Sequence, residues 1–281
     1  MRVGLIQLSS SDIPADNTRD VLAYMRQAHS DGARFVLTPE VTNCVSNSRK
    51  HQQSVLQHED EDLTLAAIRE EAAKLGLWVL IGSLGLKTND ADGRFANRSF
   101  MINPAGEIVA RYDKIHMFDV NINAQESFRE SAGYRPGEKA VVADTDFGKV
   151  GMTICYDLRF PQLHRALGHA GADIITCPAA FSPVSGAAHW HVLLRARAIE
   201  TGCFVLAPAQ CGQHAVSTGA PRQTYGHSLA IAPWGEVLAD GGESPGVTLV
   251  DLDLDLITKA RGRIPTLSHD RKFALPEGSS K

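Results

Sequence analysis

The sequence predicts an α/β fold in which two pseudo-symmetric β-α-β units place their sheets back to back, with helices outside, in four layers. Three observations carry this. Short apolar runs alternate with amphipathic helices, and sheets of that kind need cover on both faces. The second half repeats the order of the first. The two halves also share words: Gly32-Ala33-Arg34-Phe35-Val36-Leu37-Thr38-Pro39 matches Gly171-Ala172-Asp173-Ile174-Ile175-Thr176-Cys177-Pro178. Likewise Asn103-Pro104-Ala105-Gly106-Glu107-Ile108 matches Ala232-Pro233-Trp234-Gly235-Glu236-Val237. Internal similarity of this kind is the mark of a repeated unit.

In order, Val3 to Leu8 is a strand, and Asp16 or Asn17 caps a helix with Val21, Leu22, Met25 and Ala28 on one face. Ala33 to Leu37 is a buried strand ending in Thr38-Pro39-Glu40. Residues 43–60 read as a polar loop, and a helix from Asp62 to Leu75 closes at Gly76. Leu77 to Gly82 is the next strand. Arg98 to Asn103 and Glu107 to Tyr112 form a hairpin, and residues 115–139 are loop-like. In the second half, Val150 to Ile154, Ile174 to Cys177 and Cys203 to Ala207 are strands. Helices run from Gln162 to Ala170 and from His189 to Thr201, and Leu229 to Ala232 pairs with Glu236 to Ala239. Asp251, Asp253 and Asp255 alternate with leucines, which suggests a half-exposed strand and not a calcium loop. Pro265 to Lys281 has no periodicity and reads as an arm or loose end. The expected division is one domain over residues 1–270 and a tail over 271–281.

At 281 residues the chain buries a full core unaided. A net charge of −4 argues against a nucleic-acid partner. No run is long enough to span a membrane, and the first residues enter a strand pattern without an apolar leader. Five cysteines, an odd number spread widely, fit reduced thiols and a cytoplasmic protein. No cofactor motif is present. His189 with His191, and Cys203, Cys211 and His214, lack metal-ligand spacing, so no metal is expected.

The candidate chemistry lies at strand ends. Cys155 closes the apolar run Val150, Met152, Ile154, where a strand end meets the crevice of an α/β sheet. A buried cysteine is ordinarily inert. As a nucleophile it needs a base, oxyanion donors and a route for the leaving group's proton. Glu40 stands at another strand end, and Lys114 follows the first hairpin. Together they supply carboxylate, ammonium and thiol.

The blocks Thr38-Pro39-Glu40, Tyr112-Asp113-Lys114 and Gly151-Met152-Thr153-Ile154-Cys155-Tyr156-Asp157 resemble, in order and spacing, the three catalytic blocks of the nitrilase superfamily of carbon–nitrogen hydrolases. The resemblance covers about residues 2–270 and implies an αββα sandwich. It also implies a second glutamate seven residues before the glycine of a Pro-Gly turn. That is Glu130, before Gly137; Glu126 does not fit the spacing. Stretches such as Tyr225-Gly226-His227-Ser228 and Pro233-Trp234-Gly235 are most similar to the Nit branch. One departure is His191 in His189-Trp190-His191, where the branch usually has glutamate.

What the resemblance implies is a thiol amidase. Glu40 takes the proton of Cys155, the thiolate attacks an amide carbonyl, and Lys114 with the Tyr156 N–H holds the oxyanion. Glu130 orients Lys114 or the substrate nitrogen. Ammonia leaves, and water releases the acid from a thioester. Glu40 then needs a pKa near neutrality, which burial favours and Lys114 opposes. The implied substrate is a small amide: deaminated glutathione, or a similar ω-amide of a dicarboxylic or 2-oxo acid. A homodimer is implied too. The alternatives are a nitrilase or N-carbamoyl amino-acid hydrolase on the same residues, a Cys–His hydrolase using His227 or His189, and a non-catalytic scaffold.

Overall fold

The computed structural model describes residues 1–122, 127–274 and 276. Glu126 and most of the expected tail lie outside the described residues. The strands are β1 (Arg2–Gln7), β2 (Phe35–Leu37), β3 (Trp78–Leu86), β4 (Ala96–Ile102), β5 (Ile108–Asp113), β6 (Asp119–Asn121), β7 (Ser127–Arg129) and β8 (Val141–Thr145). They continue as β9 (Gly148–Met152), β10 (Ile174–Thr176), β11 (Phe204–Ala207), β12 (Cys211–Gln213), β13 (Gln223–Tyr225), β14 (Leu229–Ile231), β15 (Val237–Asp240) and β16 (Gly246–Asp251). The α-helices are α1 (Pro14–Ser30), α2 (Arg49–Val55), α3 (Leu63–Leu75), α4 (Pro161–His169), α5 (Pro183–Thr201) and α6 (Asp255–Arg263).

Two six-stranded sheets carry the molecule, one in the order β16-β1-β2-β3-β4-β5 and the other β15-β14-β11-β10-β9-β8. Read from opposite ends they share one plan. Three central parallel strands are flanked by one antiparallel neighbour on one side and an antiparallel hairpin on the other. Strand alternation decides what each sheet face buries. On β2, Phe35 and Leu37 join the core shared with β9 residues Val150 and Met152, whereas Val36 joins Val21 and Met25 of α1 and Ile68 of α3. Helices α4 and α5 cover the other sheet through Leu163, Leu167, Leu194 and Ala198. The order is therefore helix, sheet, sheet, helix, as expected.

Several elements differ from the sequence reading. Helix α1 begins at Pro14, whose missing N–H costs nothing in a first turn, and Ile13 precedes it without a side-chain cap. Asn17 is buried in its first turn, with its amide on Ser11 and Asn43 carbonyls. The supposed loop over residues 43–60 contains α2, capped by Ser48 through the His51 N–H. Helix α5 starts at Pro183, six residues earlier than periodicity suggested. Asp255 opens the first turn of α6 and is not strand. Strand β8 went unread. Past α6, the Thr266 hydroxyl donates to the Glu200 carbonyl at 2.9 Å, and Asp270 pairs with Arg165 and His169. The start of the arm is thus fastened to α4 and α5.

Candidate active site

Segments leaving β2, β5 and β9 meet at the floor of one cavity of about 530 Å³. Glu40, Lys114 and Cys155 are 4%, 2% and 7% exposed. Glu40 follows Thr38-Pro39, where the chain leaves β2. Its Oε1 accepts from Lys114 Nζ at 2.8 Å and from Asn97 Nδ2 at 2.9 Å, and its Oε2 accepts from the Ala180 N–H at 2.9 Å. Lys114 follows β5 directly and also donates to both carboxylate oxygens of Glu130, at 2.9 and 2.8 Å. Glu130 opens a tight helical turn over Glu130–Ala132, and its Oε2 further accepts from the Phe118 N–H at 2.6 Å. The four residues singled out in the sequence are together.

Cys155 starts a second tight turn, Cys155–Arg159, with a left-handed φ of 51°. A non-glycine residue there is held against its preference, a common condition at functional sites. The turn is fixed from behind by fully buried Asp157. Its carboxylate accepts from the Ile154 N–H at 2.9 Å, the Tyr112 hydroxyl at 2.6 Å and the His116 N–H at 3.0 Å. The Cys155 N–H is spent on the Pro178 carbonyl at 2.9 Å. Tyr156 is the next residue of this first turn, where helical N–H groups lack intrahelical partners, and it borders the cavity.

Close approach of the two sheets' strand ends needs Gly82 on β3. A Cβ there would stand 2.0 Å from the Thr38 carbonyl oxygen and 2.5 Å from Pro178 Cβ. No side chain fits.

The electrostatics are those of a resting thiol. Burial pushes the Cys155 thiol well up, and the adjacent Glu40 carboxylate pushes it further, against the pull of Lys114. For Glu40, burial raises the pKa, but the Lys114 ammonium and then Arg222 draw it below the ordinary carboxylate range. The sequence expectation of a pKa near neutrality is thus not met in the resting site, because the ammonium is in direct contact. Burial alone would lower Lys114, yet Glu130 and Glu40 raise it well above its usual value. The resting state is carboxylate, ammonium and neutral thiol.

Asn97, on β4, was missed by the sequence reading. Its amide spans Glu40 and Glu130, with Nδ2 at 2.9 and 3.3 Å. An asparagine inside a strand carries no signal of this kind; only the fold places it. Aromatic rings of Phe118, Phe128 and Tyr134 wall the cavity, and Arg49, Arg129 and Arg222 border it. These guanidiniums donate to backbone carbonyls: Arg49 to Gly133 and Gly93, Arg129 to Val120 and Phe128, Arg222 to Ala180. Neither His189 nor His227 borders the cavity, which removes both from the role of base.

A family model described as carbon-nitrogen hydrolase matches residues 2–262. The chain is 40% identical over 270 residues to a deaminated glutathione amidase of Yersinia enterocolitica, covering 96% of this chain and 92% of that protein. It is 37% identical over 274 residues to the deaminated glutathione amidase of Rattus norvegicus, covering 96% and 82%. Among solved structures it is similar to the C. elegans NitFhit protein, with a TM-score of 0.87 and 31% identity, spanning 96% of this chain but 65% of that one. It is also similar to Saccharomyces cerevisiae Nit3, described as a member of branch 10 of the nitrilase superfamily, with a TM-score of 0.82, 27% identity and 94% of each chain covered.

Proposed function

This chain belongs to the carbon–nitrogen hydrolase family and is an amidase, and from that premise we propose that Cys155 is its nucleophile and Glu40 its base and acid. The observation that carries the assignment is the convergence of thiol, carboxylate and ammonium on one cavity floor. A free thiolate is disfavoured beside Glu40, so the thiol proton passes to Glu40 as sulfur closes on the amide carbonyl carbon. The oxyanion is held by Lys114 Nζ and the Tyr156 N–H. Glu40 returns the proton to the leaving nitrogen, the C–N bond breaks, and ammonia departs from a thioester. Water then gives a proton to Glu40 and its oxygen to the acyl carbon, releasing the acid and restoring the thiol. Glu130 acts through Lys114, fixing the ammonium where the oxyanion forms.

The substrate is a small linear amide that also carries a carboxylate, deaminated glutathione or a related ω-amide. Three arginines at the rim support this, because Lys114 is already matched by Glu40 and Glu130. Ammonia release should be compared for deaminated glutathione, α-ketoglutaramate, simple nitriles and N-carbamoyl amino acids. The reading expects the first or second to exceed the others in kcat/KM by on the order of 100-fold or more. A preference for nitriles or carbamoyl compounds would overturn it.

The protein works as a cytoplasmic homodimer on this reading. All five cysteines are buried and unpaired, which suits a reducing compartment. Among the described residues no helix is long and apolar enough to cross a membrane. Exposed Val184, Val192 and Ile199 on α5 and Trp234, Val237 and Leu238 around the β14–β15 turn offer an apolar surface for a second copy. Light scattering on a Val192→Asp variant tests this: a monomer is expected, and an unchanged dimer would remove that face from the interface.

A further inference from the structure

A second cluster of ligand-type side chains lies away from the amidase cavity. His191 is carried by the middle of α5, His227 by the segment entering β14, and Asp240 by the end of β15. Their donor atoms all lie within 4.8 Å of one another. His191 Nε2 is 3.2 Å from Asp240 Oδ2, and His227 Nδ1 is 2.9 Å from Oδ1 and 3.1 Å from Oδ2. None of the three borders the catalytic cavity.

We propose that His191, His227 and Asp240 bind one divalent transition-metal ion of the zinc class. Two imidazoles and a carboxylate are a ligand set that such ions select. Around a tetrahedral ion with bonds of about 2.0–2.1 Å, adjacent donors stand roughly 3.3 Å apart. Through Asp240 Oδ2 the two His–Asp separations, 3.2 and 3.1 Å, are already close to that value, and the two imidazole nitrogens lie within 4.8 Å of each other.

The surroundings hold the donors in place, as supporting groups do at metal sites. The His227 backbone adopts a left-handed φ of 56°. It is pinned there by its N–H on the Gly242 carbonyl at 2.6 Å and by Trp190 Nε1 on its carbonyl at 2.8 Å. Its ring stacks on Tyr225 with centroids 4.5 Å apart. With Nδ1 on the ion, Nε2 is left facing an exposed acidic neighbour, the Glu243 carboxylate 3.9 Å away. Asp240 Oδ1 accepts the Gly242 N–H at 2.9 Å, which fixes the carboxylate plane.

A metal here ties α5 to the β14–β15 hairpin. Ser182, just before α5, and Ser185 in its first turn line the catalytic cavity, so the tie stiffens one side of that cavity without entering the chemistry.

The same atoms are also satisfied by a purely hydrogen-bonded His–Asp–His set, and the experiment separates the two. The full chain carrying Cys155→Ser, which removes the reactive thiol as a competing ligand, is stripped with chelator and titrated with Zn²⁺ by calorimetry. Co²⁺ is then used for its visible spectrum. The proposal expects one ion per chain, a cobalt spectrum of nitrogen and oxygen ligation, and affinity lowered at least 10-fold by His191→Ala and by Asp240→Asn. His191→Gln keeps a hydrogen bond to Asp240 but not the ligand. It should lose the ion while keeping the metal-free melting temperature, which makes the test independent of any folding defect in the other variants. Absence of one-to-one binding, or binding indifferent to all three substitutions, overturns the proposal.

Discussion

The two halves of the molecule share a plan but not a chemistry. Val3 pairs with Phe35 as Val150 pairs with Ile174, and counting from these pairs sets Leu8 opposite Cys155 and Ala179 opposite Glu40. Counting from the Pro-Ala-Gly and Pro-Trp-Gly turns sets Glu243 opposite Lys114. Where one set of strand ends carries thiol, carboxylate and ammonium, its counterpart carries leucine, alanine and a carboxylate. The repeated scaffold builds the crevice; a few unrepeated side chains give it its thiol, carboxylate and ammonium. On the proposed assignment the nucleophile comes from the second unit and its base and ammonium from the first, so neither unit holds a complete site.

The contrast can be broken most severely at Cys155. Cys155→Ala should lower kcat by on the order of 10⁴-fold or more. Its melting temperature should shift by only a few degrees, since one buried sulfur is lost at a cavity edge. Ammonia release near the native rate from that variant would remove the thiol from the reaction. Glu40→Gln should cost about 10²–10⁴-fold, the range for a lost general base. Thioester trapped by mass spectrometry would locate the damage in hydrolysis.

Ala179→Glu asks whether the counterpart position can be made reactive. It should rescue none of the activity lost in Glu40→Gln. Urea denaturation should show a loss of about 3–5 kcal/mol from a buried, unpaired carboxylate. Recovered turnover would show that the two strand ends are interchangeable.

Between the units, His214 joins Ser10 of the first to Thr224 of the second, with Nδ1 2.7 Å from the Ser10 carbonyl and Nε2 2.8 Å from Thr224 Oγ1. Burial lowers its pKa to about 4, and burial does the same for His164 on the inner face of α4. Both imidazoles are neutral when folded and protonate near pH 6.5 when unfolded. Their stabilisation is therefore complete above that pH and is lost as pH falls from about 6.5 to about 4, by roughly 3 kcal/mol each at most. Denaturation at several pH values should show this slope, shallower in His214→Asn. Smallest is Asn97→Ala, expected to slow turnover about 10-fold by loosening Glu40 from Glu130, with stability lower by about 1–2 kcal/mol. A tenfold rise in KM at constant kcat would assign Asn97 to substrate binding instead.

Glu40 and Cys155 are legible because they stand where apolar runs stop, and a change of pattern at a strand end is visible in one dimension; Lys114 is marked only by its place after the first hairpin. Glu130 is visible only through a spacing shared with relatives. Asn97 is hidden inside an ordinary strand. Helix α2 escaped notice because only Gln52 among its residues is buried, leaving no apolar stripe to read. The early start of α5 was masked by Pro183, which looks like a breaker until it is seen at the first helical position. His191 and Asp240 are separated by 49 positions, so no local ligand spacing announces them.

Gly82 bears on any attempt to redesign this enzyme. The backbone leaving β2 and the proline following β10 press together over its bare α-carbon, so even one methyl group would act as a wedge between the halves. Glu40 rides on one of the segments such a wedge would part, and the Cys155 N–H donates to the Pro178 carbonyl on the other. This position does not border the cavity, yet it is closed to variation.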